Sequence, residues 1–166
     1  MQPSQKGKTD TDAVVERLAE MPVFVGRIAA DMAGDLQRWK PADDDWSLVE
    51  QVCHLRDLEV EGYGVRISRL VNEERPELAD FDGARVALER NYVADSLDAA
   101  LGAFSAARAA NLDRIAALTS DELGRTGLLE GVGEITIERL LSNMCEHDDE
   151  HRRQITTLHE QFSQTR

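Results

Sequence analysis

The sequence predicts an all-α fold: a four-helix bundle, antiparallel or with one crossover connection. Three observations predict it. Apolar residues recur at spacings of three and four along four long stretches. No segment shows the sustained period-two alternation of half-buried strands. Aromatic residues are only 5% of the chain, so its core must rest on Leu, Val, Ile, Ala and Met, which suits packed helices.

The first stretch runs from about Thr11 to Gln37, on Val14, Val15, Leu18, Met21, Val25, Ile28, Met32 and Leu36. Pro22 lies inside it, and a kink or break is expected there because proline has no backbone N–H. The second stretch begins sharply. Ser47 and Glu50 make a Ser-x-x-Glu capping box, and Trp46 before the cap can pack back on the first turn. This helix should reach about Asn72, short of Pro76. The third covers roughly Ala84 to Leu118, begun by Asp82 or Gly83. Thr119 and Glu122 then repeat the capping-box pattern for a single short turn. Residues 124–133 hold four glycines and read as a loop with a short extended stretch at Leu128-Leu129. The last helix starts near Thr136 and reaches about Phe162. One domain, residues 11–166, accounts for this pattern, and residues 1–10 read as a disordered tail.

The net charge of -13 argues against nucleic-acid backbones and anionic membrane surfaces as partners. Basic residues are dispersed, with Arg152-Arg153 the one adjacent pair. No apolar run approaches the roughly 18 to 20 residues of a membrane span. The first residues lack the apolar segment of a secretory signal, and there are only two cysteines, so a cytoplasmic location is expected. A small-molecule substrate is the expected partner.

The strongest chemical signal comes from the four histidines. His147 and His151 are four residues apart and share a helix face. On the last helix, Ile137, Leu140, Leu141, Met144, Ile155, Leu158 and Phe162 define the buried stripe. His151 falls near its middle, His147 on its flank, and Asp148 on the same side. A polar cluster in an apolar stripe costs stability unless it is paired or ligated, and bundles build metal sites from such inward side chains. By spacing alone, however, satisfaction by carboxylates such as Glu146, Asp148 or Glu150 is the commoner explanation. The periodicity around His54 does not decide, because it lines up with Leu58 and Val65 but also with Glu50 and Glu61. His159 reads as a surface or rim residue. Residues 147–151 formally match the H-x-x-E-H peptidase pattern, but only fifteen residues follow His151, too few for the distant acidic ligand. Glu150 also falls on the solvent side. Cys53 and Cys145 read as buried small apolar residues, with a thiolate contribution weakly supported.

Taken in order, these motifs resemble a known family. Trp46-Ser47 with Glu50, then His54-Leu55 followed by Asp57 and Glu59, resembles the W-S-x-x-[EQ]…H-L-x-D-x-E signature of the DinB-like (YfiT-type) metalloenzyme superfamily. Pro76-Glu77-Leu78, Phe81-Asp82, Phe104-x-x-x-Arg108 and Gly133-x-x-Thr136 are similar to later family segments. So is Glu146-His147-Asp148-x-x-His151-x-x-Gln154-Ile155. The thiol-transferase-like branch is the most similar.

The resemblance implies a four-helix bundle whose metal ligands are His54, His147 and His151, with zinc or nickel bound and water completing the site. It also implies a homodimer. The activity it implies is S-transfer using a low-molecular-weight thiol such as mycothiol or bacillithiol, or a related hydrolysis. Asp148, and Asp57 or Glu61, are the candidates for orienting the imidazoles. Arg108 could meet an anionic substrate or cofactor, but pairing with a core-edge carboxylate is favoured. Two rivals stand beside the enzyme. One is a non-catalytic metal-binding stress-response module, its site closed by Cys145, Glu61 or Asp148. The other is a helical dimerisation protein with structural histidines.

Overall fold

The structure is a computed structural model describing residues 4–32 and 34–165. Four long helical elements dominate it. Helix α1 spans Ser4–Asp31, so the helix extends back over residues 4–10 of the segment expected to be a tail; residues 1–3 lie outside the described residues. A 3₁₀ turn, Gly34–Arg38, covers the end of the first expected stretch. Helix α2 (Leu48–Asp57), a π segment (Leu58–Gly64) and helix α3 (Val65–Asn72) form one continuous rod, because the junction residues keep right-handed helical angles. Its start is the expected box: Ser47 N donates to Glu50 Oε2 at 2.8 Å, and Ser47 Oγ accepts from Glu50 N.

The third expected helix is broken. Helix α4 is Gly83–Glu89, a 3₁₀ turn covers Tyr92–Ala94, and helix α5 is Leu97–Ala116. The cause is local. Asn91 sits in the left-handed region at φ 51°, and Ser96 caps a fresh helix by accepting from Ala99 N. Helix α6 (Ser120–Leu123) is the short turn started by the Thr119–Glu122 box, and α7 (Ile137–Gln164) is capped by Thr136.

The loop expected at residues 124–133 is largely a hairpin. Strands β2 (Thr126–Leu129) and β3 (Gly133–Thr136) pair antiparallel, and β1 (Glu77–Leu78) adds in parallel to β2. Gly131 and Gly133 supply the positive φ that the tight turn needs. Gly127 allows a close crossing, since a Cβ there would lie 2.8 Å from the Pro76 carbonyl oxygen.

Two apolar clusters fill the bundle. One contains Met21, Val25, Val52, Leu55, Phe104 and Ile155; the other contains Leu18, Leu58, Ile67, Ile115, Leu140 and Met144. Along α1 and α7 the chain passes from the second cluster to the first; along the α2–α3 rod and α5 it passes the other way. The bundle therefore runs up-down-down-up. Of the two expected arrangements, this is the one with a crossover, and residues 73–96 make it.

Between the clusters lies a polar layer centred on Arg108, which is 2% exposed. Its guanidinium donates to Asp148 at 2.6 and 3.0 Å and to the Leu18 carbonyl at 2.8 Å. Its Nε faces Glu59 Oε1 at 2.9 Å, an ion contact off hydrogen-bond alignment. Glu59 also accepts from Asn111 Nδ2 at 3.0 Å. The Leu18 carbonyl is available because residue 22 is proline and cannot donate back to it. Helix α1 thus runs through Pro22 with the freed acceptor satisfied from outside. Arg108→Ala leaves two buried carboxylates facing no cation, and a loss of about 3–5 kcal/mol is expected. Urea unfolding measures it; a loss under about 1 kcal/mol, the range of exposed pairs, would contradict the arrangement.

Candidate metal centre

The polar layer continues from Asp148 to its helical neighbours. His147 and His151 project from α7 towards His54 of α2, so the three histidines come together from two helices. His54 Nε2 lies 3.2 Å from His147 Nε2, and His147 Nε2 lies 3.0 Å from His151 Nε2. One ligand atom from each ring falls within 4.8 Å of the others. No fourth His, Cys, Asp or Glu joins this group among the described residues.

Burial sets the charge state of the rings. Desolvation holds His54 down at about 4, with nearby Asp57 partly opposing it. Desolvation and the positive influence of His54 and Arg108 bring His147 to about 3. Desolvation and the two neighbouring histidines bring His151 to about 2. All three rings are neutral at pH 7, the form that ligates a metal.

Each ring is held differently. His151 Nδ1 faces Gln51 Oε1, which leaves Nε2 turned to the cluster. His54 is packed rather than bonded. Trp46 and Phe81 lie 5.1 and 6.0 Å from it, centroid to centroid, and its buried Nδ1 has no hydrogen-bond partner. Gly83 presses on the same ring: a Cβ there would lie 2.6 Å from His54 Nδ1. The hairpin supports that contact from below, since Leu128 N and Glu130 N donate to the Pro76 and Leu78 carbonyls that lead into Phe81 and Gly83.

The carboxylates expected to orient the imidazoles are engaged elsewhere. Asp148 pairs with Arg108. Asp57 accepts from Arg56, Arg90 and Tyr92, and Glu61 takes Arg90. Asp57 reaches His54 only as a neighbouring charge. Arg108 is buried in its ion pairs and does not line the cleft described below. Cys53 faces Asp95, with burial pushing its thiol up to about 12, and Cys145 is also raised by burial. His159 pairs with Asp31 at 3.5 Å, away from the cluster. Sequence reasoning missed Gln51, Gln154, Gly83 and Phe81 as site residues. The one signal for Gln51 was its place three residues before His54, on the same helix face.

The three histidines open into a cleft of about 770 Å³, lined also by Asp44, Asp45, Trp46, Glu150, Arg153 and Gln154. The donor set fits a divalent ion. Neutral rings with converging Nε2 atoms cannot all satisfy one another, since each neutral ring carries a single N–H for its two nitrogens. A cation between them accepts the lone pairs that would otherwise face each other.

A helical bundle with an open three-histidine cluster defines a class of candidate metal-dependent proteins. The sequence pattern of the DinB superfamily matches residues 26–155, and the chain belongs to that superfamily. No curated protein matches it. Among solved structures, YfiT from Bacillus subtilis is similar, with a TM-score of 0.85 and 20% identity over 98% of this chain and 94% of YfiT. YfiT is described as a probable metal-dependent hydrolase with an unusual four-helix bundle topology. At that identity the likeness establishes the fold. No helix among the described residues is long and apolar enough to cross a membrane.

Without metal, stability should depend on pH through these rings. Their folded values lie below the ordinary 6.5, so the unfolded chain binds protons that the folded chain refuses. Stability is full above about 6.5 and falls as pH drops towards 4, by up to about 1.4 kcal/mol per pH unit per histidine. Urea midpoints at pH 7 and 5.5 in chelator should show the loss, and His147→Leu should flatten it; parallel slopes would refute the assignment. Gly83→Ala should cost about 1–3 kcal/mol by crowding His54, read by thermal unfolding.

Proposed function

We propose that the protein is a metal-dependent enzyme in which His54, His147 and His151 hold a divalent ion, zinc or nickel, and which acts as a low-molecular-weight-thiol S-transferase or related hydrolase. The observation that carries this reading is the convergence of three neutral Nε2 atoms beside an open cleft. A divalent ion bound there supplies Lewis acidity and lowers the pKa of a thiol or water that reaches it.

The chain's own residues define the rest. Gln51 fixes the direction of His151, and Trp46, Phe81 and Gly83 confine His54. The cleft volume is in the range of small-molecule sites. Neither cysteine lines it, and Cys53 stays a thiol at neutral pH, so a sulfur nucleophile has to come from a cosubstrate. That no fourth protein ligand joins the cluster among the described residues supports an exchangeable position over the closed site of a non-catalytic module.

Tag-free protein prepared with zinc or nickel should carry about one ion per chain, and His151→Ala should lose it. A metal concentration about 1,000 times Kd should add about 4 kcal/mol of stability, seen as a higher Tm than in chelator. Metal-free wild type, or full retention by His151→Ala, would overturn the reading. Turnover that requires an added thiol selects transfer; turnover in water alone selects hydrolysis.

A further inference from the structure

Glu150 has no part in the metal cluster, yet it ends a chain of side chains that reaches it. Gln154 Nε2 donates to Glu150 Oε1 at 3.2 Å. Gln51 Nε2 donates to Gln154 Oε1 at 3.0 Å. His151 Nδ1 faces Gln51 Oε1. Glu150, Gln154, Gln51 and His151 all line the cleft. Glu150 and Gln154 are exposed at its mouth, whereas Gln51 and His151 are buried.

The order of donors along this chain is forced from its outer end. Glu150 Oε1 accepts here, so Gln154 presents its NH₂ to it. It then presents its oxygen to Gln51. Gln51 must answer with its NH₂, which leaves its oxygen for His151. An imidazole facing an amide oxygen through Nδ1 must carry its proton there. Turning any one amide over sets two acceptors or two donors against each other. The last consequence falls on the cluster: with the proton on Nδ1, His151 Nε2 is a bare lone pair.

We propose that Glu150 is a positioning residue that sets the tautomer of His151 through the amides of Gln154 and Gln51, and so keeps Nε2 as a metal ligand. The geometry stands without a metal; the purpose rests on the three-histidine reading above. Successive polarisation along the chain also makes Nε2 a stronger donor. An acceptor oxygen at position 150, charged or not, is what matters, which separates this role from a simple charge effect.

The test reads the tautomer directly. Nitrogen-15 NMR of histidine-labelled, metal-free protein should show His151 protonated at Nδ1. Glu150→Lys replaces an acceptor by a donor at an exposed position, so the fold survives. It should reverse both amides and move the proton to Nε2. In zinc competition with a chromophoric chelator, Glu150→Lys should bind about 10–100-fold more weakly, and Glu150→Gln, which keeps an acceptor oxygen, should recover most of the loss. In a Gln154→Ala background, Glu150→Lys should no longer change the tautomer. An Nδ1–H His151 in Glu150→Lys, or an equal affinity loss in the lysine variant with and without Gln154, would overturn the relay. Failure of wild type to bind zinc, with the tautomer responding as stated, would sink the metal reading and leave the relay standing.

Discussion

One guanidinium joins the four long helical elements. Arg108 rises from α5, meets Glu59 on the π segment of the second rod, Asp148 on α7 and the Leu18 carbonyl of α1. A buried charge tolerates no loose fit, because its desolvation is recovered only while every partner stays in place. The layer therefore fixes the heights of the helices relative to one another. Asp148 is next to His147 and three residues before His151, while Glu59 is five residues after His54. Whatever fixes these carboxylates fixes the imidazoles too.

The layer holds two opposite solutions to the same problem. On one side, one buried guanidinium faces two buried carboxylates. On the other, the histidines escape the cost of burial by staying neutral, and Arg108 pushes His147 further in that direction. The neutral half is left with unmatched lone pairs, and those make it suited to a cation. The charged half takes no part in lining the histidine cleft. Neighbouring polar residues in one core thus divide into a framework and a site.

The helices were legible wherever the sequence spelled out their ends. The Ser47–Glu50 and Thr119–Glu122 boxes and the Thr136 start needed only local chemistry, and the buried stripe of α7 already placed His151 inside. The break between α4 and α5 was not legible, because Asn91 and Ser96 interrupt a run of apolar spacings that continues on both sides. The hairpin was hidden for a different reason. Its strands are four residues each, and β2 gains a neighbour from Glu77-Leu78, some fifty positions earlier. At the candidate site, the histidines stood out, but their supports did not. Carboxylates were the expected partners, whereas His151 is met by the Gln51 amide, which reaches it only after two distant helices have packed.

The periodicity around His54 was ambiguous because α2 is buried on nearly every side and a π segment follows it. A single wide turn sets the helix behind by about one residue, or about 100° of rotation. Upstream of it, the rod presents His54 and Gln51 to α7; downstream, it presents Ile67 and Leu70 to the second apolar cluster. The wide turn works as a phase shifter, decoupling the register of the chemistry from that of the packing beyond it. The histidine end of the rod and the end under the hairpin therefore keep separate registers, although they belong to one unbroken rod.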